Sequence, residues 1–283
     1  MEPENKPVIL VATDFTHIGE YAVDNAANMT RLINGRLIVL HVINQDTRDK
    51  LQKEKKSQDD VGKLLQDICS TVRERFGIDV NYLAPSGSIF STIADTAKTT
   101  GAKYIFMGTH GKKGIQFLLG SFALKVITSS PAPICIVKKP ASGSDYKNIV
   151  FALDLSFGSK QKVKFALDLH KMFGAVFHLY VFSPPDSNLK KQMNLDVLQV
   201  SKILDNNRVP YTIAYHNRMK GYETKLVKYA IEKNASAIML STNPDKIPWN
   251  PFGSVEERII YNQEGVPVLC INAKDLNIIP GIY

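Results

Sequence analysis

The 283-residue chain is poor in the features that mark several protein classes. Its three cysteines have no CxxC spacing, so neither a disulfide framework nor a zinc site is indicated. It has no run of roughly 18–20 apolar residues, the length that a membrane-spanning helix needs. The opening segment Met1–Lys6 is polar and acidic, unlike a signal peptide. From these absences we expect a cytoplasmic protein that does not interact with membranes.

A concentrated basic region is also lacking, although the net charge is +8. Residues 1–140 hold 18 Lys and Arg against 14 Asp and Glu, and residues 141–283 hold 17 against 13, so each half carries +4. The dense lysine run Lys50–Lys63 is interleaved with acidic residues, which is typical of a solvated helix face. We therefore expect no nucleic-acid partner.

The chain is an internal repeat. Asp14 and Asp154 each close an apolar run and lie 140 positions apart, while Gly120-Ser121 recurs 133 positions later as Gly253-Ser254. A polar, turn-rich segment at 138–145 separates the halves. The order of these landmarks predicts two domains, at 1–139 and 145–275, followed by a short tail at 276–283.

Within each half, five short runs rich in Val and Ile alternate with segments whose apolar residues recur at the helical period. This alternation predicts an α/β fold, with parallel strands buried on both faces and helices on both sides of the sheet. Gly35, Gly77 and Gly101 follow the first three predicted helices, where a left-handed cap residue is expected. The predicted strands are 7–13, 36–43, 78–83, 103–107, 132–138, 147–153, 175–182, 210–215, 236–241 and 266–272.

Ligands of parallel sheets bind beyond the carboxyl ends of the strands, which directs attention to the loop after the fourth strand. That loop has four glycines within 13 residues, and Ser121 stands where it would cap the next helix. Glycines let backbone N–H groups approach a phosphate closely, but similar loops also serve as plain connections. The sequence contains neither GxxxxGK[ST] nor GxGxxG. The glycines of this loop are Gly108, Gly111, Gly114 and Gly120.

Taken together, the strand-closing Asp14, the Gly108-x-x-Gly111 pair and the later Gly120-Ser121 resemble the universal stress protein family. The segments Ile9–Thr16, Leu40-His-Val42 and Pro131-Ala-Pro133 resemble it too. The resemblance spans both halves. It implies two tandem doubly wound domains, each a five-stranded parallel sheet in the order 3-2-1-4-5 flanked by helices. It also implies an intramolecular pseudo-dimer paired through the last strands, and it leaves room for a further homodimer.

The resemblance implies a ligand as well, because many members of this family bind ATP or a related nucleotide and others do not. Carried over by position, Asp14 would contact adenine or ribose, and Val42 and Met107 would flank the base. The expected ligand is ATP or AMP, with or without Mg²⁺. No catalytic residue and no metal-ligating cluster is expected, and His41 is expected to be structural. The residues expected to contact ribose and phosphates are Gly108, Gly111, Gly120 and Ser121.

Two departures from the family pattern leave the function open. The spacer Lys112–Leu119 has eight residues where the family usually has nine, and the second half has Ser241 and Pro244 at the glycine positions. Proline has no N–H to offer a phosphate, so one nucleotide site is expected, in the first half. We favour a nucleotide-responsive stress or regulatory module over an efficient enzyme. The alternatives are a slow ATPase or nucleotidyl-transfer enzyme, and a ligand-free interaction protein with vestigial sites.

Overall fold

The computed structural model describes residues 6–109, 126–127, 129–140, 145–155, 158–160, 162–218, 220–242 and 254–272. The chain divides into two compact units, Met1–Gly143 and Ser144–Tyr283. The division falls inside the polar segment 138–145. The predicted tail at 276–283 lies outside the described residues. Within the described part of the chain, no helix is both long and apolar enough to cross a membrane.

The first unit alternates strands and helices around a parallel sheet with the strand order β3-β2-β1-β4-β5. The central strand β1 places Leu10 between Ile38 of β2 and Ile105 of β4. All three side chains are buried, and helix α1, whose buried residues include Ala22 and Ala26, packs against β1 and β4. Its described elements are β1 (Val8–Ala12), α1 (His17–Leu32), β2 (Arg36–Leu40), α2 (Gln45–Lys53), α3 (Gln58–Phe76), β3 (Asp79–Leu83), α4 (Ile89–Thr100), β4 (Ala102–Gly108) and β5 (Ile134–Val137).

The second unit repeats this topology, with the strand order β8-β7-β6-β9-β10. In both units the order along the sheet is therefore third, second, first, fourth, fifth, and every described strand pair is parallel. The predicted α/β fold class is confirmed. Its described elements are β6 (Asn148–Leu153), α5 (Val163–Phe173), β7 (Val176–Phe182), α6 (Ser187–Asn206), β8 (Tyr211–His216), α7 (Tyr222–Glu232), β9 (Ala237–Thr242), α8 (Val255–Ile260) and β10 (Val268–Asn272).

The helix caps follow the sequence-based expectation at two of three glycines. Gly77 and Gly101 end their helices in the left-handed conformation, with φ of 65° and 64°. The expectation was wrong for Gly35, because Asn34 takes the left-handed conformation after α1, with φ of 48°. Gly35 is needed for space instead, since a Cβ there would lie 2.6 Å from the carbonyl oxygen of Pro7.

The sequence pattern misjudged two other features. Helix α2 was not predicted, because it has no buried residue and hence no apolar stripe. The outer strands β3 and β8 were expected to be buried on both faces, but Tyr82, Leu83, Ile213 and Tyr215 are exposed. A strand at the edge of a sheet has a neighbour on one side only, so apolar residues there do not imply full burial.

A fully buried lysine holds the loop that follows β6. The Nζ atom of Lys162 donates to the carbonyl oxygens of Ala152 and Ser159 and to the Ser159 hydroxyl. It also lies 4.4 Å from the ring centre of Phe151. The Ser159 hydroxyl in turn accepts from the backbone N–H of Asp154, at 3.0 Å. Burial lowers the pKa of Lys162 to about 7, although the Asp154 carboxylate acts in the opposite direction.

We expect Lys162 to make the free energy of unfolding rise between about pH 7 and pH 10.5. In this window the folded lysine has released its proton while the unfolded chain retains it, so raising the pH favours the folded state. Chemical denaturation at a series of pH values measures the slope. The slope should shrink in Lys162→Met and persist in the exposed control Lys164→Met. Equal slopes in the wild type and Lys162→Met would contradict this expectation.

Candidate functional site

The first unit has a cavity of about 180 Å³ at the carboxyl ends of β1, β2 and β4. Three strands that are distant in sequence thus contribute to one space, as expected for ligand sites of parallel sheets. Four of the predicted site residues line it: Asp14, Val42, Met107 and Gly108. The other three predicted site residues, Gly111, Gly120 and Ser121, lie outside the described residues.

The Asp14 carboxylate is held by the start of helix α1. Its Oδ1 atom accepts from the backbone N–H of Thr16 at 3.1 Å and from the Thr16 hydroxyl at 2.6 Å. The same hydroxyl caps the helix by accepting from the N–H of Gly19 at 3.2 Å. Between them, Phe15 adopts a left-handed backbone with φ of 62°. Asp14 therefore shapes the turn from β1 into α1, while its contact with a ligand stays a prediction.

Two glycines allow this helix start to lie directly against the strand ends. A Cβ at Gly19 would be 2.7 Å from Asp14 Oδ1, and one at Gly108 would be 2.6 Å from the carbonyl oxygen of Ile18. At Gly108 the backbone would have to move, whereas at Gly19 the side chains of Asp14 and Thr13 would have to give way. Gly108 was selected from the sequence for its place in a glycine loop, but the structure gives it a packing reason that no loop motif reveals.

His41 joins the end of β2 to the loop that carries Asp14. Its Nδ1 atom lies 2.9 Å from the carbonyl oxygen of Thr13, and its Nε2 atom lies 3.2 Å from the Thr47 hydroxyl. A carbonyl oxygen only accepts, so Nδ1 carries the proton in the neutral ring and Nε2 accepts from Thr47. Burial lowers the pKa of His41, against the Thr13 hydrogen bond and the Asp14 charge. The neutral ring lies beside Phe15, with ring centres 4.4 Å apart.

A wall from α2, α3 and the segment between them closes one side of the cavity. The sequence run Lys50–Lys63 was expected to be a solvated face, which holds for the exposed Lys50, Glu54 and Lys56 but is wrong for the apolar residues of this wall. Val61 is buried, and Leu51 lies at the cavity although charged residues surround it in the sequence. Isolated apolar residues inside a charged run are the signal that could have identified the wall. Leu64, Ile89 and Ile93 extend its apolar surface.

The described cavity residues carry no surplus of positive charge. Lysines 50 and 56 line the cavity together with four carboxylates, and Lys56 is already paired with Glu54 at 2.7 Å. Asp60 caps α3 through the backbone N–H of Ser57, at 2.9 Å. This part of the site therefore suits an apolar or hydrogen-bonding group better than a phosphate. The four carboxylates belong to Asp14, Asp46, Glu54 and Asp60.

The second unit differs at the corresponding positions. The N–H of Asp154 donates to the Ser159 hydroxyl, and the Asp154 carboxylate raises the pKa of the buried Lys162 against the effect of burial. Lys162 was not predicted, because its polar sequence surroundings resemble a solvated loop. Ser254 caps α8, accepting from Glu257 N–H at 3.1 Å. Pro244 and Gly253 lie outside the described residues. Among the described residues of the chain, no three His, Cys, Asp or Glu side chains are grouped to hold a metal ion.

Because the backbone of α1 lies so close to Gly108, adding one methyl group there should measurably lower the stability of the fold. We expect Gly108→Ala to lower the free energy of unfolding by about 1–3 kcal/mol, because the α1 backbone at Ile18 must shift. The control is Gly62→Ala within α3, where the new Cβ would meet only the Tyr82 hydroxyl at 3.8 Å. That variant should gain roughly 0.5–1 kcal/mol from its higher helix propensity. Denaturant titration of both variants decides, and similar effects would contradict the packing argument.

The fold of this chain is similar to that of solved protein structures. The chain resembles the crystal structure of a universal stress protein from Archaeoglobus fulgidus with a TM-score of 0.72 and 18% identity. The match covers 94% of this chain and 98% of that one. A functionally unknown protein from Pseudomonas aeruginosa PAO1 gives a TM-score of 0.64 at 14% identity, covering 96% and 94% of the two chains. At such identities the likeness shows a shared architecture.

At the level of sequence, the first unit is similar to known proteins. The profile of the universal stress protein family matches residues 7–138. Two universal stress proteins of Methanocaldococcus jannaschii are 28% and 26% identical over 140 and 163 aligned residues. Each match covers 47% of this chain, and 82% and 96% of the respective relatives. The matched region includes β1 to β5 and the cavity with Asp14. Residues 7–138 thus match the universal stress protein family.

Proposed function

We propose that the first unit binds an adenine nucleotide, ATP or AMP, and that the chain acts as a nucleotide-responsive regulatory module rather than as an enzyme. One observation carries the proposal. Asp14, Val42, Met107 and Gly108 come from three strand ends and line the same cavity. These are the positions at which the family pattern places the base and the ribose.

The chemistry of the cavity walls suits a purine. The faces of a purine are flat and apolar, and Val42, Met107 and Leu51 offer apolar surface around the space. The Phe15 ring, held beside His41, adds an aromatic surface. The edge of adenine carries an amino group, and ribose carries hydroxyls. A carboxylate such as that of Asp14 accepts hydrogen bonds from either.

The charge distribution supports placing the two ends of the nucleotide in different parts of the unit. Because carboxylates outnumber lysines in the described walls, the phosphates are better placed towards the segment that follows Gly108. That segment contains the remaining candidate positions Gly111, Gly120 and Ser121. The base and ribose would then occupy the space between β1, β2 and the α2–α3 wall.

A second candidate function follows from the local contacts. The Asp14 carboxylate accepts the hydrogen bonds that hold the turn at Thr16, and position 108 has to be glycine because Ile18 lies so close to it. Both residues would be needed for folding even if the cavity held no nucleotide. This observation favours a ligand-free interaction protein, and the binding experiment distinguishes it from the first proposal.

The test is equilibrium binding of labelled ATP and AMP to the full chain, with variants that separate charge from turn structure. Asp14→Ala should weaken binding by about 1–3 kcal/mol, the usual value of a charge-assisted hydrogen bond. Thr16→Ala removes the two hydroxyl contacts of this turn, to Asp14 and Gly19, but leaves the carboxylate and the backbone N–H bond to it, so it should lower stability and largely retain affinity. Asp154→Ala in the second unit should leave affinity unchanged.

The binding stoichiometry gives an independent readout. We expect one nucleotide per chain, because the second unit has Ser241 and Pro244 where the first unit has Gly108 and Gly111. A plateau near two, or equal losses in Asp14→Ala and Asp154→Ala, would contradict the assignment to one unit. Absence of binding at millimolar nucleotide would favour the ligand-free interaction protein instead.

A further inference from the structure

In each unit the third strand lies at the end of the strand order: β3, which follows α3, in the first unit, and β8, which follows α6, in the second. On such a strand, alternate residues point their backbone N–H and C=O groups away from the sheet. Unpaired groups of this kind can bind another strand, and proteins usually protect them with charged side chains, proline or bulges. The two outer strands of this chain differ in that protection.

Strand β3 is protected by an arginine. The N–H of His41 donates to the carbonyl oxygen of Leu83, and this bond fixes which residues of β3 face β2. By alternation, Val80 and Tyr82 point their backbone groups outward. The guanidinium of Arg73 donates to the Val80 carbonyl oxygen at 3.0 Å. A charged side chain therefore occupies the edge where a further strand would have to pair.

Strand β8 has no comparable cover in the described part of the chain. The N–H groups of Phe177 and Ser183 donate to the carbonyl oxygens of Pro210 and His216, which fixes the alternation along β8. Among the described residues, β8 pairs with β7 alone, and no side chain bonds to its outward backbone groups. The residues whose backbone N–H and C=O groups face outward are Tyr211, Ile213 and Tyr215.

The sequence of β8 is complementary to itself. Around Ile213 the segment reads Tyr211-Thr-Ile-Ala-Tyr215, so reversal of its direction places Tyr on Tyr and Ile on Ile. No residue of Tyr211–Tyr215 is charged, so the paired segment itself brings no like charges together; the nearest charges that reversal places opposite each other are Arg208 and Arg218, beyond both ends of the segment. Ile213 and Tyr215 are 39% and 57% exposed, and their side chains share one face of the strand. The exposed apolar side chains of β8 are thus the ones that would meet if a second β8 strand paired with it in the opposite direction.

We propose that β8 is a dimerisation edge, on which the β8 strand of a second copy of this chain pairs in antiparallel orientation about Ile213. The outward groups then form three residue pairs: Ile213 with its own copy, and Tyr211 with Tyr215 twice. Each pair exchanges two hydrogen bonds, which gives six across the interface. Aromatic side chains lie opposite one another on one face of the joined sheet, an arrangement that stabilises antiparallel pairs. The two copies are related by a two-fold axis through Ile213.

Sedimentation velocity on the full chain tests the proposal. At about 100 μM, the wild type should form a dimer that dissociates on dilution. Ile213→Lys and Ile213→Glu each place like charges opposite one another across the axis, so each variant alone should be monomeric. An equimolar mixture of the two should recover the dimer, because the opposite charges then face each other. The control Tyr82→Lys, on the edge covered by Arg73, should leave the association unchanged.

A monomeric wild type at this concentration would overturn the proposal, as would a dimer that persists in Ile213→Lys. Cysteine cross-linking checks the geometry without introducing a charge. Residues paired in this way have Cα atoms about 5.5 Å apart, which is within the range of a disulfide. Ile213→Cys should therefore form a disulfide-linked dimer on mild oxidation, whereas Tyr82→Cys should not. The three native cysteines are buried and free. Equal cross-linking of the two variants would contradict pairing at β8.

Discussion

The site of the first unit depends on the close approach of helix α1 to the carboxyl ends of β1 and β4. Two positions without side chains, Gly19 and Gly108, make this approach possible. It brings the helix start onto the Asp14 carboxylate, whose Oδ1 atom binds both the N–H and the hydroxyl of Thr16. The turn through Phe15 then presents an aromatic ring to the cavity beside His41. The close approach of α1, which the two glycines allow, therefore determines where the carboxylate, the ring and the cavity lie.

The sequence predicted the architecture because the same pattern occurs twice. Each half has five apolar runs, and each run limits the possible folds. Single features were predictable only where the local chain decides them, as at the left-handed Gly77 and Gly101. Helix α2 was not found, because it buries no residue and so lacks the apolar positions by which the other helices were recognised. Likewise, the chemistry of Asp14 was expected from its place after β1, but the packing role of Gly108 depends on Ile18, 90 positions away in sequence.

The two units show how one topology tolerates different chemistry at the same place. After its first strand, the first unit turns through a carboxylate and a threonine into a helix that begins three residues after Asp14. The second unit uses a longer loop, and its helix begins nine residues after Asp154. There a buried ammonium, bound by carbonyl and hydroxyl oxygens, holds the chain in place of the short turn. The strand order is unchanged because the buried side chains of the sheet, and not these loops, determine it.

Helix α2 makes the cavity wall easier to open than the sheet behind it. Since none of its residues is buried, detaching this helix exposes little apolar area and costs little hydrophobic free energy. The sheet behind it, with Leu10, Ile105 and Val39 fully enclosed, belongs to the most cooperative part of the unit. Local opening of α2 is thus the least expensive route into the interior. Such an opening would connect the cavity with solvent while the sheet stays folded.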